Sequence, residues 1–336
     1  MEKIVYPSSS IYINADFLDL FDCIDSLQKK EVFCLIDQNV YRIHQDVFSD
    51  FKNIILIPSG EETKSLVNIN DFIEQLISLG ANRKSFIIGI GGGVTCDITG
   101  FVASIFMRGV KFGFIPTTVL AITDAALGGK NGVNLNGVKN LIGVINEPNF
   151  VFIDYSFLKT LDSQEFTNGF AEIIKHACVA SYDLFVFLED VVIDYSSINF
   201  LHNLILDSIK IKLKIVNNDI NESNDRKLLN FGHTFGHAIE AKHNIPHGSA
   251  ISLGIIFANV LSNRLGFLEK EKLIRISNLL EKFNLPVDIS EFNKKELMFY
   301  INKDKKSSGK KIDFVILKDI GEGCVENILI EDIINE

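Results

Sequence analysis

Up to residue 155, short apolar runs alternate with amphipathic stretches. Residues 32–37, 54–57, 86–90, 112–115 and 150–153 are continuous apolar runs of the kind that form strands buried on both faces. Between the second and third, Leu66, Ile69, Phe72, Ile73, Leu76 and Ile77 recur at helical spacing, and Gly80 stands where a helix C-cap is expected. Strand, helix, strand in succession predicts parallel βαβ units and an open sheet that binds its ligand at the carboxyl ends of the strands. From Ser163 the pattern changes to helical periodicity over 166–179, 184–192, 200–216, 233–241, 249–265 and 270–283, with one late strand at 312–317. The expectation is a Rossmann-like α/β nucleotide-binding domain over residues 1–160 and a mainly α-helical domain over 161–336.

Composition narrows the function classes. The 336 residues are 47% hydrophobic and 23% charged, which is the range of a folded globular chain. A formal net charge of −10 argues against nucleic acid or an anionic membrane as partner, so an anionic small molecule needs a local basic pocket. Five scattered Cys with no C-x-x-C pair fit reduced thiols. The N-terminus lacks a signal-peptide core, and the most apolar run, 250–261, is too short to span a bilayer. A cytoplasmic protein without membrane contact is expected.

Four of the seven His lie between 233 and 247, in Asn230-Phe-Gly-His-Thr-Phe-Gly-His237 and His247-Gly248. His233 and His237 are four apart, so a helix projects both from one face. Two imidazoles and a carboxylate would make a three-ligand metal site with a position open to substrate. The ordinary alternative is a helix with buried, hydrogen-bonded His. Gly89-Ile-Gly-Gly-Gly-Val-Thr-Cys-Asp97 follows a predicted strand and opens a helix, so backbone N–H groups can approach a pyrophosphate there. Val94 departs from the dinucleotide glycine fingerprint. Asp37 ends a strand and is placed either for a ribose hydroxyl or for a turn. Glu61 and Lys64 follow the next strand. Arg108, Lys130 and Lys139 lie among Gly and Asn, the setting of an anion pocket, although Lys more often serves as a surface solubiliser. Glu172 and Lys175 share a helix face among apolar neighbours, where a buried charge must be paired or bind metal. Lys212 and Arg226 flank the polar loop leading to Asn230.

Together these segments resemble the 3-dehydroquinate synthase family over nearly the whole chain. The resemblance is carried by Gly-Gly-Gly-Val-x-x-Asp97, Arg108-Gly109, Pro116-Thr-Thr118, Asp124-x-x-x-Gly-Gly-Lys130, Lys139-Asn140, Ala171-Glu-x-Ile-Lys175, the Arg226-to-His237 segment and His247-Gly248. It implies NAD and a divalent ion, zinc with cobalt as an alternative, and a homodimer. Carried over by position, it implies Glu172, His233 and His247 as metal ligands. It implies Asp37, Glu61, Lys64, Gly92, Gly93, Asp97, Thr117, Thr118 and Asp124 as cofactor contacts, with Lys130 and Lys139 shared between cofactor and substrate. The sugar-phosphate substrate, 3-deoxy-D-arabino-heptulosonate 7-phosphate, would meet Arg108, Lys130, Lys139, Asn140, Lys175, Lys212, Arg226, Asn230 and His237, joined by Lys305 or Lys306. The implied reaction is a lyase cycle of transient oxidation by NAD, phosphate elimination, re-reduction, ring opening and aldol closure. Ala125-Ala126 replaces a Ser pair common in the family, and the loop 222–226 lacks a glycine often found before the arginine. The rival readings are an amino-substrate or sedoheptulose 7-phosphate cyclase, a metal-dependent polyol dehydrogenase of related fold, and a non-catalytic nucleotide-binding scaffold.

Overall fold

The computed structural model describes residues 1–6, 9–23, 31–220, 222–293, 296–298, 301 and 311–334. Lys305 and Lys306 lie outside these described residues. The chain divides into two compact units, Met1–Asp162 and Ser163–Glu336.

The first unit carries β1 (Glu2–Val5), β2 (Ser10–Ile13), α1 (Leu20–Cys23), β3 (Val32–Asp37), α2 (Gln38–Ile43), β4 (Ile54–Ile57), α3 (Leu66–Ser78), β5 (Phe86–Gly91), α4 (Gly93–Ile105), β6 (Lys111–Pro116), β7 (Lys130–Leu135), β8 (Val138–Ile145) and β9 (Phe150–Ile153). Seven strands form one sheet in the order β1-β2-β9-β6-β5-β3-β4, parallel throughout except for the β1–β2 pair. Val32, Cys34 and Ile36 alternate with Phe33 and Leu35, and all five are buried, because both faces of β3 are covered. From β3 the chain pairs β4 on one side and then returns to place β5 on the other. The carboxyl ends of β3 and β5 therefore flank the point where strand order reverses, the usual ligand crevice of an open α/β sheet.

Two elements differ from the sequence expectation. The Gly- and Asn-dense segment after Gly129, which the sequence reading gave no secondary structure, is the β7–β8 hairpin, turned at Asn136 and Gly137 with φ of 52° and 76°. Asn-Gly is a strong hairpin signal because both central residues of such a turn need positive φ. β1, Glu2–Val5, is the edge strand with alternating polar positions, and β2, buried at Ile11, Tyr12 and Ile13, pairs with it and with β9; the sequence reading marked neither.

The second unit carries α5 (Ser163–Ala180), α6 (Tyr182–Asp190), α7 (Ile198–Asn218), α8 (His233–His243), α9 (His247–Arg264), α10 (Lys270–Lys282), β10 (Lys311–Asp319), β11 (Glu322–Leu329) and α11 (Ile330–Ile334). The expected single late strand is thus half of an antiparallel hairpin. Its turn docks on α5, where Gly321 N donates to Cys178 O at 2.8 Å. α5 is buried on every side from Phe166 to Val179 apart from Thr167. α8 and α9 approach closely through glycines. A Cβ at Gly254 would lie 1.9 Å from the Gly232 carbonyl oxygen and 2.7 Å from Gly236 N. Among the described residues no helix is long and apolar enough to cross a membrane.

Candidate functional site

In the helical unit, three elements bring Glu172 (α5), His233 (first residue of α8) and His247 (first residue of α9) together. Their donor atoms all lie within 4.8 Å of one another. Oε1 of Glu172 is 3.6 Å from His233 Nε2 and 3.5 Å from His247 Nε2. Ligands held about 2.0–2.2 Å from one tetrahedral zinc ion are separated by about 3.3–3.5 Å, so these spacings fit such an ion. The hydrogen bond behind the His233 imidazole fixes its tautomer. His233 Nδ1 lies 3.1 Å from the Phe231 carbonyl, which can only accept, so that nitrogen carries the hydrogen and Nε2 keeps its lone pair. His247 Nδ1 faces the Glu240 carboxylate at 3.4 Å. A backbone carbonyl and a carboxylate behind two Nε2 ligands form the usual outer shell of a metal site.

Charge at this cluster follows from burial and neighbours. Glu172 has no exposed surface, and neither of its oxygens has a conventional hydrogen-bond partner. Burial opposes its charge, but the ion-paired Lys175 ammonium and the His247 contact outweigh it and hold the carboxyl well below its usual range. His233 is pushed well below the ordinary imidazole value by burial and by the Lys175 charge, and so stays neutral. His247 goes the other way, up to about 10, because its contacts with Glu172 and Glu240 outweigh its burial. His237, one turn along α8, has its ring 5.0 Å from that of His233.

Lys175, Lys212 and Arg226 are all buried in this unit, with 1%, 5% and 2% of their surface exposed. The loop before Arg226 is tied by Asp219, which accepts from Ser223 N at 2.9 Å, Asn224 N at 2.6 Å and Arg226 N at 3.1 Å. Those backbone bonds outweigh burial and hold the Asp219 carboxyl at about 2. Glu222 takes φ of 58° and accepts from Asn230 Nδ2 at 2.6 Å. The loop keeps its turn without the glycine whose lack the sequence had noted.

In the α/β unit, Gly92 caps α4 directly after β5 and Gly93 opens it. A Cβ on Gly91 would meet Thr95 Oγ1 at 2.5 Å and Asp37 Cβ at 2.9 Å, so the backbone here is as close-packed as the β3/β5 crevice requires. Ala125 Cβ is 3.3 Å from the position a Cβ on Gly93 would take. Thr117 N donates to Gly91 O at 2.9 Å, which sets Thr117 and Thr118 beside the glycine turn. Asp37 is occupied as the N-cap of α2, accepting from Asn39 N, Val40 N and Ser59 Oγ. Of its two sequence readings, ribose acceptor and turn former, the second describes its present bonds.

Lys64, on the far side of β3, gathers its neighbours. Its Nζ is 2.6 Å from Asp97, 2.5 Å from Asn140 Oδ1 and 3.5 Å from Glu61. Burial opposes the Lys64 charge, but Asp97 and Glu61 outweigh it and raise its pKa. Asp97 is pushed up to about 6, burial outweighing the pull of Lys64, with the charges of Glu61 and Asp124 adding to the rise. Arg108 is exposed on a turn where Met107, Arg108 and Gly109 all have positive φ (49°, 69° and 109°), a strained backbone for the first two. Lys130 opens β7 and Lys139 lies in β8, both exposed.

The raised Asp97 gives a pH prediction. An unfolded carboxyl titrates near 3.8, so the fold binds this proton more tightly than the unfolded chain does. The contribution to stability is present in full below pH 4 and is lost as pH rises through 6. At about 1.4 kcal/mol per pH unit, the displacement corresponds to about 3 kcal/mol. Urea unfolding of Asp97→Asn is expected to lack that part of the pH dependence between 4 and 6. An unchanged pH profile would show that Asp97 titrates normally.

Three supporting residues have no role in the sequence reading: Glu240, Asp219 and Asn134. Glu240 had a usable signal, since it follows His233 by seven residues, two helical turns on the same face. Asp219 acts through a loop and Asn134 from a break in the β7–β8 register, and neither had one.

The chain matches the model of the 3-dehydroquinate synthase N-terminal domain over residues 54–168 and that of the C-terminal domain over 169–307. A 3-dehydroquinate synthase of Thermoanaerobacter pseudethanolicus is 37% identical over 333 residues, covering 94% of each chain. Among solved structures, a 2-deoxy-scyllo-inosose synthase complexed with carbaglucose-6-phosphate, NAD+ and Co2+ superposes with a TM-score of 0.86 at 25% identity, covering 99% of this chain and 97% of that one. ValA, a 2-epi-5-epi-valiolone synthase from Streptomyces hygroscopicus subsp. jinggangensis with NAD+ and Zn2+ bound, superposes with a TM-score of 0.88 at 23% identity, over 99% and 96% of the two chains, and shares the fold. With a sequence match that runs through both units and a three-donor cluster on matching motifs, the chain belongs to the 3-dehydroquinate synthase family.

Proposed function

We propose that this protein converts 3-deoxy-D-arabino-heptulosonate 7-phosphate into 3-dehydroquinate and phosphate, using NAD and one divalent ion. The observation that carries the metal half is the Glu172, His233 and His247 donor set, with both imidazole Nε2 atoms 3.5–3.6 Å from one buried carboxylate oxygen. The cofactor half rests on the Gly91–Gly93 turn at the strand-order reversal. When bound, the ion supplies Lewis acidity at a substrate hydroxyl, and NAD supplies reversible hydride transfer.

The chain's own residues do the rest. Lys175 neutralises the buried Glu172 and keeps the ligand carboxylate ionised. Lys212 and Arg226 offer buried positive charge to the carboxylate and phosphate of the substrate, and the Asp219 clamp holds the backbone of Arg226. Arg108, Lys130 and Lys139 are exposed cations of the α/β unit, assigned to anionic groups of the ligands. Asn230, held by Glu222, orients substrate oxygens. His237, with an imidazole that can both take and give a proton, is assigned to proton transfer beside the metal ligands. The phosphate leaves by elimination, so no water need enter to release it. Asp37, Glu61, Lys64, Gly92, Gly93, Asp97, Thr117, Thr118 and Asp124 are assigned to NAD.

The test follows phosphate and NADH absorbance together, on zinc-loaded protein given NAD+ and the heptulosonate phosphate. Stoichiometric phosphate without net NADH is expected. Treatment with a chelator should lower the rate by more than about a hundredfold, and Zn2+ or Co2+ should restore it. Net NADH without phosphate would instead identify a polyol dehydrogenase. Phosphate release only from a seven-carbon sugar phosphate would identify another cyclase. We assign the active species to the cytoplasm as a homodimer. Activity confined to material of single-chain mass in sedimentation would overturn the dimer.

A further inference from the structure

Asn134, half-buried in β7, sits where the β7–β8 register breaks, between the Val133–Ile142 and Leu135–Val138 pairs. Released from the hairpin ladder, its backbone N–H donates to Lys64 O at 2.8 Å. Its side chain bonds in opposite senses, with a longer 3.4 Å bond from Nδ2 to the Glu61 carbonyl besides. Nδ2 donates to Glu61 Oε1 at 2.9 Å, and Oδ1 accepts from Asn140 N at 2.9 Å. A carboxylate can only accept and a backbone N–H can only donate, so the partners fix the orientation of the amide. Asn140 has φ of 50°, a left-handed backbone that needs support, and from there its Oδ1 meets Lys64 Nζ. Lys64 in turn reaches Asp97 on α4. One side chain thus ties the loop after β4 to the strained residue of the hairpin and, through it, closes the group around Lys64.

We propose that Asn134 is a positioning residue that holds Glu61, Lys64 and Asn140 in the geometry with which they meet cofactor and substrate. The inference rests on the functional reading given above. No other side chain of this length both donates to a carboxylate and accepts from an N–H. Aspartate keeps the bond to Asn140 but sets a second carboxylate against Glu61, and alanine loses both bonds.

The experiment compares wild type, Asn134→Ala, Asn134→Asp and the pair Asn134→Asp with Glu61→Gln. It measures NADH binding by fluorescence, KM for NAD+, kcat and the thermal midpoint. Asn134→Ala is expected to weaken NADH binding and raise KM for NAD+ about tenfold, with kcat within about threefold of wild type. Asn134→Asp should be worse. The pair, in which a Gln amide can donate to the new carboxylate, should recover most of what Asn134→Asp alone loses, relative to Glu61→Gln alone. A purely structural role would lower the thermal midpoint without a KM change and would show no recovery, and either result overturns the proposal. Wild-type NADH affinity in both single variants overturns it too. Wild-type protein that neither binds NADH nor releases phosphate would instead overturn the functional reading, and this inference with it.

Discussion

Glu172→Gln is expected to leave the folded protein without its divalent ion and to slow phosphate release by about a thousandfold or more. The change keeps size and shape and removes one charge. That charge serves two partners at once. It sits 3.5–3.6 Å from both Nε2 atoms and is ion-paired with Lys175, in a place with no exposed surface. A neutral amide is a poor ligand, so the donor set falls to two imidazoles. The same change leaves the Lys175 ammonium buried without its counter-ion, which costs about 3–5 kcal/mol when a buried pair is broken from one side. Metal content by elemental analysis and far-UV circular dichroism separate the two effects. A folded variant that still holds one ion per chain would remove Glu172 from the ligand set.

Gly254→Ala is expected to be the most damaging single methyl group in the helical unit. The added carbon would lie 1.9 Å from the Gly232 carbonyl oxygen and 2.7 Å from Gly236 N, both backbone atoms that cannot swing aside. α8 and α9 must separate, which costs about 3 kcal/mol or more and lowers Tm by roughly 10 °C. Because His233 and His247 begin these two helices, their separation also loosens the metal ligands. Gly266→Ala is the control. Its φ of 78° strains any side chain, but nothing lies within 4 Å, so a loss of about 1 kcal/mol is expected. Equal Tm losses in the two variants would mean that helix contact at Gly254 is not the cause. A differential scan of both proteins decides it.

Much of this molecule was legible before any coordinates. Apolar runs marked β3, β4, β5, β6 and β9 of the main sheet but passed over β2, because a parallel strand covered on both faces leaves few polar positions to confuse the pattern. Glu172 and Lys175 were paired correctly from spacing alone, since three residues on a helix is a contact. The segments that escaped are hairpin strands with little apolar periodicity of their own. The β7–β8 hairpin is rich in Gly, Asn and Lys and lacks the apolar alternation of a core strand. β11 has too few buried positions to stand out, and it is a strand because β10 is beside it.

The sequence by itself determined the alternation of strand and helix, the change to helices after residue 162, and the residue types capable of holding an ion, a nucleotide and an anion. These are local matters, written in periods of two and 3.6 residues and in motifs a few residues long. Tertiary structure decided which of those residues work together. Lys64, Asp97 and Asn140 meet although they come from three separate elements, and Asn134 binds Glu61, Asn140 and the Lys64 carbonyl for no reason visible in its neighbours. Asp37 became a helix cap because the chain turns into α2 at that point. The tautomer of His233 was set by a carbonyl behind it, and the His247 ring faces a carboxylate that only the fold brings near. Hydrogen bonds and charge pairs depend on distances of a few ångströms between groups remote in sequence, and only the folded chain brings such groups that close.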